Sequence, residues 1–169
     1  MKKILTLFAV VGLIAFISCE GPEGPPGQDA LIPYVFETTK DFTNANNYGF
    51  DVPLQGMLSG DNILVYELVG TSGGDTWALL PQIYYFNNGL ETAQYNYTFS
   101  KSKVTIFIDG SLSDFSQLPA SFRLGKTFRI VIIPGDDGVN AKKAKVDYSD
   151  YKAVIARYNI DDSNVKKLN

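Results

Sequence analysis

The sequence predicts an all-β fold, an antiparallel β-sandwich or jelly-roll-like barrel of about seven strands with a short C-terminal helix. Three observations predict it. Aromatic residues make up 13% of the chain, with 10 Tyr and 11 Phe, and strands favour such side chains. From Ala30 onward the apolar residues fall in short alternating runs. Turn formers (Gly, Pro, Asn, Asp) separate those runs at short, regular intervals, the mark of a sandwich or barrel.

Pro33 to Thr38 reads as the first strand. Thr43 to Gly49 (TNANNYG) is a turn-rich connection, and Tyr48 to Val52 is a short second strand. Asp61-Asn62 opens a strong third strand, Ile63 to Val69, apolar on both faces apart from Glu67. Gly70 to Asp75 (GTSGGD) reads as a flexible hairpin loop. Trp77 to Phe86 follows as one strand, with Pro81 marking a bulge or an edge. Asn87-Asn88-Gly89 is a turn signal. Thr92 to Phe99 places Tyr95, Tyr97 and Phe99 on one face. Lys103 to Asp109 aligns Val104, Ile106 and Ile108, and Thr127 to Ile133 is the last clear strand, ended by Pro134-Gly135. Ser149 is placed to cap a helix through Asp150 to Tyr158. Tyr151, Val154, Ile155 and Tyr158 draw one apolar stripe at helical spacing. Asp150 in the first turn and Arg157 in the last suit the helix dipole. Residues 161–169 read as a frayed polar tail. The resulting organisation is a leader over 1–18, a lipidated cysteine and tether over 19–32, the sandwich with its helix over 33–160, and the tail.

Composition removes several function classes. A net charge of −3 argues against nucleic-acid binding, which needs clustered Lys and Arg. The chain has no histidine and one cysteine, Cys19. It can build neither a Ser-His-Asp or Cys-His centre nor a His- or Cys-ligated zinc site. One cysteine also rules out an intramolecular disulfide. No cofactor and no metal are expected.

The N-terminus carries the most specific signal. Lys2 and Lys3 precede 14 uncharged, largely apolar residues, Ile4 to Ile17. A bilayer span needs about 20 residues, so the run has the length of a secretory leader. The alternative is an N-terminal buried helix, which a small β domain has no surface to cover. Ser18-Cys19 closes the run and resembles the lipobox of bacterial lipoproteins. Ser18 matches the small residue before the cysteine. Phe16 departs from the aliphatic residue usual three places before it. By this resemblance Cys19 becomes the mature N-terminus and carries lipid on its sulfur and its amine. Several acyl chains at about 0.8 kcal/mol per buried CH₂ make a stable anchor. An ordinary secretory signal with an incidental cysteine is the alternative.

Three Gly-X-Y triplets follow in register, Gly21-Pro22-Glu23, Gly24-Pro25-Pro26 and Gly27-Gln28-Asp29. Glycine at every third place is what a collagen triple helix requires. The plainer reading is a stiff tether, since three triplets offer little to hold three chains together. Nine residues in polyproline II reach roughly 28 Å.

Cys19-Glu20-Gly21-Pro22, Gly24-Pro25-Pro26-Gly27 and the segments VYELVG (65–70), TWALLPQIYYF (76–86), YNYTFS (95–100), FRIVIIPGD (128–136) and DYKAVIARYNI (150–160) together resemble small lipoproteins of Bacteroidota. These have a leader, a cysteine, a short collagen-like arm and one β-rich domain. The resemblance implies an outer-membrane location, on the periplasmic face or the cell surface, and brings no biochemical activity or site residues with it.

Within the domain, Trp77, Tyr84 and Tyr85, with Phe86, are candidates for a platform that stacks on sugar rings. The plainer reading puts about half of them in the core, because Tyr84 and Tyr85 point oppositely in a strand. Asp136, Asp137 and Asp61-Asn62 are oxygen-rich positions suited to calcium or simply to turns. Glu37, Glu67, Glu91 and Asp109 could supply a glycosidase pair if two met in a cleft. Charged strand edges are their default. Lys142, Lys143 and Lys145 form a basic cluster for anionic headgroups or a solvated connection.

The sequence therefore leads to a non-enzymatic, lipid-anchored module. Its expected partners are the membrane, through lipid on Cys19, and an envelope or outer-membrane protein. A surface glycan-binding module is the first alternative and a carboxylate-based hydrolase the second.

Overall fold

The computed structural model describes residues 34–135 and 145–168. The leader, Cys19, the Gly-Pro arm, Pro33, Asp136, Asp137, Lys142, Lys143 and Asn169 lie outside the described residues. All that follows concerns the compact unit that spans Leu31–Asn169.

The expected β-sandwich is present, with nine strands among the described residues rather than about seven. They are β1 (Tyr34–Lys40), β2 (Gly49–Pro53), β3 (Asn62–Gly70), β4 (Thr76–Leu79), β5 (Gln82–Phe86), β6 (Glu91–Phe99), β7 (Lys103–Gly110), β8 (Lys126–Ile133) and β9 (Lys166–Leu168). Among the described residues two α-helices join them, α1 (Ala120–Arg123) and α2 (Tyr151–Tyr158). One sheet runs β4-β3-β8-β1-β9 and the other β2-β7-β6-β5. Every pairing is antiparallel except β1 with β9.

Two strands were hidden by their neighbours. The run from Trp77 to Phe86 is not one strand. Proline cannot donate to a ladder, and at the cis Leu80-Pro81 bond the chain leaves β4 at the edge of one sheet to enter β5 at the edge of the other. Leu80 N–H is spent on Val65 O at 2.9 Å, and the Gln82 amide closes the corner on Leu79 O at 2.7 Å. The tail is not frayed either. Lys166–Leu168 pairs in parallel with Phe36–Thr38 and finishes the five-stranded sheet. Lysines on so short an edge discourage pairing with another chain.

Alternation on the strands sorts side chains into two cores. Between the sheets lie Val65, Phe128 and Ile130 from one side and Ala93, Tyr95, Val104 and Ile106 from the other, all fully buried. Phe122 of α1 plugs one end and stacks on Tyr95 at 4.5 Å between ring centroids. The Tyr95 hydroxyl donates to Phe122 O. The second core lies on the outer face of the five-stranded sheet. There Leu64, Tyr66, Trp77, Val131 and Ile133 pack against Tyr151, Val154 and Ile160. The helical stripe read from the sequence therefore faces β3 and β8, which explains why both faces of β3 are apolar. Asp150, not Ser149, caps α2, because its carboxylate is the one that accepts from Ala153 N–H, at 3.0 Å. The Ser149 hydroxyl turns back to Asp147.

Candidate functional site

Two clefts flank the five-stranded sheet, one on its helix side and one between the sheets. The helix-side cleft, of about 510 Å³, is organised by Arg129. In FRIVII the strand alternation sends Phe128, Ile130 and Ile132 inward and Arg129, Val131 and Ile133 toward α2. Register places Glu37 on one side of Arg129 and Tyr66 on the other. The guanidinium bonds Glu37 at 3.2 Å and the Tyr151 hydroxyl at 2.8 Å. It lies 3.5 Å from Asp162 and 3.8 Å from Asp75. Its flat face covers the Trp77 ring at 4.2 Å, a cation–π arrangement. The Tyr151 hydroxyl in turn donates a hydrogen bond to Asp162 at 2.9 Å. Burial works against the charge on Arg129, yet Tyr151 and Glu37 more than offset it and its pKa is raised. Burial, then the bond to Asp162, pushes the Tyr151 hydroxyl up despite the opposing guanidinium. Chemically this is a closed ion cluster that pins α2 and the segment after it to the sheet. Asp75, Lys152, Asn159 and Asp162 stand around its rim.

The second cleft, of about 670 Å³, opens between the sheets where β1 and β9 face β2. Its walls are Phe36, Val52, Leu54, Ile132 and Leu168. Thr38 also lines it, 2% exposed, and its hydroxyl has no hydrogen-bond partner among the described residues. Lys40, Lys166 and Asp51 stand at the rim.

The aromatics proposed as a platform do not share a surface. Trp77 is buried on the helix side beneath Arg129. Tyr84 points between the sheets, and its hydroxyl donates to Glu67 at 2.7 Å. Burial first, then that bond, raises the Tyr84 pKa. Tyr85 points the other way and is 72% exposed. Phe86 packs on the inter-sheet core. Period-two alternation alone separates Tyr84 from Tyr85.

The carboxylates are dispersed as well. Glu37 and Glu67 lie on opposite faces of the five-stranded sheet, one against Arg129 and the other against Lys126 at 2.9 Å. Glu91 accepts from Asn87, and Asp109 faces Gln94 at 3.4 Å. Asp61 accepts from Leu58 N–H at 2.8 Å, a turn contact. Lys145 is exposed. Among the described residues no three Cys, Asp or Glu side chains stand close enough to hold a metal ion.

Sequence reasoning missed Arg129, Asp162 and Thr38. Arg129 carried a signal, as the one charge inside an otherwise apolar strand run. Thr38 and Asp162 carried none. No protein-family model, curated protein or solved structure gives a significant match to the chain.

Proposed function

We propose that the protein is an outer-membrane lipoprotein, held by lipid on Cys19, whose sandwich binds an envelope partner without transforming it. The observation that carries the anchor is the order of the N-terminal residues: two lysines, 14 uncharged residues, Ser18, then the sole cysteine of the chain. The Gly-Pro triplets after it supply a spacer between anchor and domain. Support for a binding role comes from the helix-side cleft. Arg129, Glu37, Tyr151 and Asp162 spend their polar groups on one another, an arrangement that fixes a shape.

The test is metabolic labelling of cells with a tagged fatty acid, followed by membrane fractionation. The wild-type chain takes the label and stays with the outer membrane. Cys19→Ala loses the label and leaves the membrane. Label retained by the alanine variant overturns the proposal. A glycan-binding reading has one observation in its favour: Asp75, Lys152 and Asn159 line the same cleft as Trp77. Binding on a glycan array that Asn159→Ala abolishes would establish it.

A further inference from the structure

We infer that the cleft between the sheets is a binding site for a free fatty acid, with the chain lying between β1 and β2 and the carboxylate at the lysines of the rim. This goes beyond the anchoring proposal and holds whether or not Cys19 is acylated.

The sandwich is closed on one side and open on the other. At β4 and β5 the chain passes directly from sheet to sheet through Pro81. On the opposite side the edge strands are β9 and β2, and nothing among the described residues joins them. The opening is a slot of about 670 Å³, within the size range of small-molecule sites. Apolar side chains from both sheets form its walls. A concave apolar lining with a few polar groups at its mouth is the usual make-up of a small-molecule site.

Two further observations select the ligand. The first is charge. Lys40 and Lys166 stand at the rim, and neither has an ion-pair partner among the described residues. The one carboxylate at the rim among the described residues, Asp51, is already engaged by Lys103 at 2.7 Å and by the Thr105 hydroxyl at 2.6 Å. The mouth therefore offers two free cations to one anion. The second is Thr38, which sits in the row Tyr34, Phe36, Thr38, Lys40 along the inner face of β1. A buried hydroxyl without a partner is uncommon in a native fold. Threonine has more than one accessible χ1 well, so a single rotation carries the hydroxyl toward an acceptor in the slot. A carboxylate supplies such an acceptor and an alkyl chain fits the walls. A peptide would bring backbone donors and acceptors that those walls cannot satisfy.

The experiment uses the purified full chain, so its outcome does not depend on membrane attachment. A fatty acid bearing a photoreactive group and an alkyne is added, irradiated and mapped by peptide sequencing. The matching fatty alcohol is the control. The acid labels the segments 34–40, 52–56 and 166–168 and does so at least fivefold more than the alcohol. K40Q/K166Q, which alters half-buried Lys40 and exposed Lys166 at the rim, cuts labelling by the acid about fivefold and brings it to the level of the alcohol. Thr38→Val cuts it severalfold while leaving the melting temperature unchanged or raised, because it removes an unpaired buried hydroxyl. Label outside these segments, equal label from acid and alcohol, or label that K40Q/K166Q leaves unchanged overturns the assignment.

Discussion

Glu67 offers the sharpest test of how the two sheets are held together. It projects between them, 1% exposed, with Lys126 at 2.9 Å and the Tyr84 hydroxyl at 2.7 Å. Lys126 also lies 5.5 Å from the centre of the Tyr95 ring. Removing one member of a buried ion pair costs about 3–5 kcal/mol, because the other charge is left uncompensated. The Lys126 side chain keeps 18% of its exposure, so water recovers part of that loss. Glu67→Gln should therefore cost about 3 kcal/mol, the low end of that range. Tyr84→Phe removes a hydrogen bond to a charged acceptor and should cost about 1.5–3 kcal/mol. The double variant should fall short of the sum by about 0.5–3 kcal/mol, since one carboxylate serves both partners. The triple variant Glu67→Leu, Lys126→Met, Tyr84→Phe replaces every polar group with an apolar one. It should recover wild-type stability or exceed it by about 1–4 kcal/mol. Urea denaturation with a shared slope is the assay. A Glu67→Gln loss below about 1 kcal/mol, or strict additivity with Tyr84→Phe, would refute the reasoning.

Three other predictions follow from particular contacts. Tyr66, Tyr84, Tyr95, Tyr97 and Tyr151 all have pKa values raised by burial above the ordinary 10.0. Their folded-state pKa exceeds the unfolded one, so their contribution is complete below pH 10 and is lost as pH rises beyond it. Loss of the circular dichroism signal should then coincide with the part of the tyrosinate absorbance that belongs to these five; absorbance equivalent to all ten tyrosines while the fold persists contradicts this. Arg129→Met should destabilise by about 3–5 kcal/mol and shift the emission of the single tryptophan to the red, as α2 loosens over Trp77. Unchanged emission would mean that the guanidinium does not hold that face together. Gly110→Ala drives a Cβ into Thr92 O and to 2.8 Å from Ala93 Cα. Backbone cannot yield there cheaply, so the melting temperature should fall by several degrees, at about 2–4 °C per kcal/mol lost.

Much of the fold was legible because strand alternation and turn residues are local signals. The apolar double face of β3 pointed to a layer on each side, and α2 supplies the second one. Three features were not legible, each for a physical reason. In the run from Trp77 to Phe86 alternation continues through Pro81, so only the missing N–H betrays the change of sheet. β9 holds three residues, two of them lysine, and exists because β1 leaves a free edge for it; no pattern within it says so. α1 is four residues long and owes its place to Phe122 filling the end of the core. The same division holds for the sites. Opposite orientations of Tyr84 and Tyr85 follow from period two. Glu67 meeting Lys126 and Tyr84 depends on how two sheets face each other, which no single strand encodes. Thr38 acquires its unpaired hydroxyl only in the assembled slot.

The intact mass of the native chain, extracted from membranes and sequenced from its N-terminus, bears most directly on the claim of a tethered binding module. The account predicts a polypeptide that starts at Cys19 and carries fatty acyl groups there. A chain that begins upstream of Cys19, or a cysteine bearing no acyl group, would contradict it.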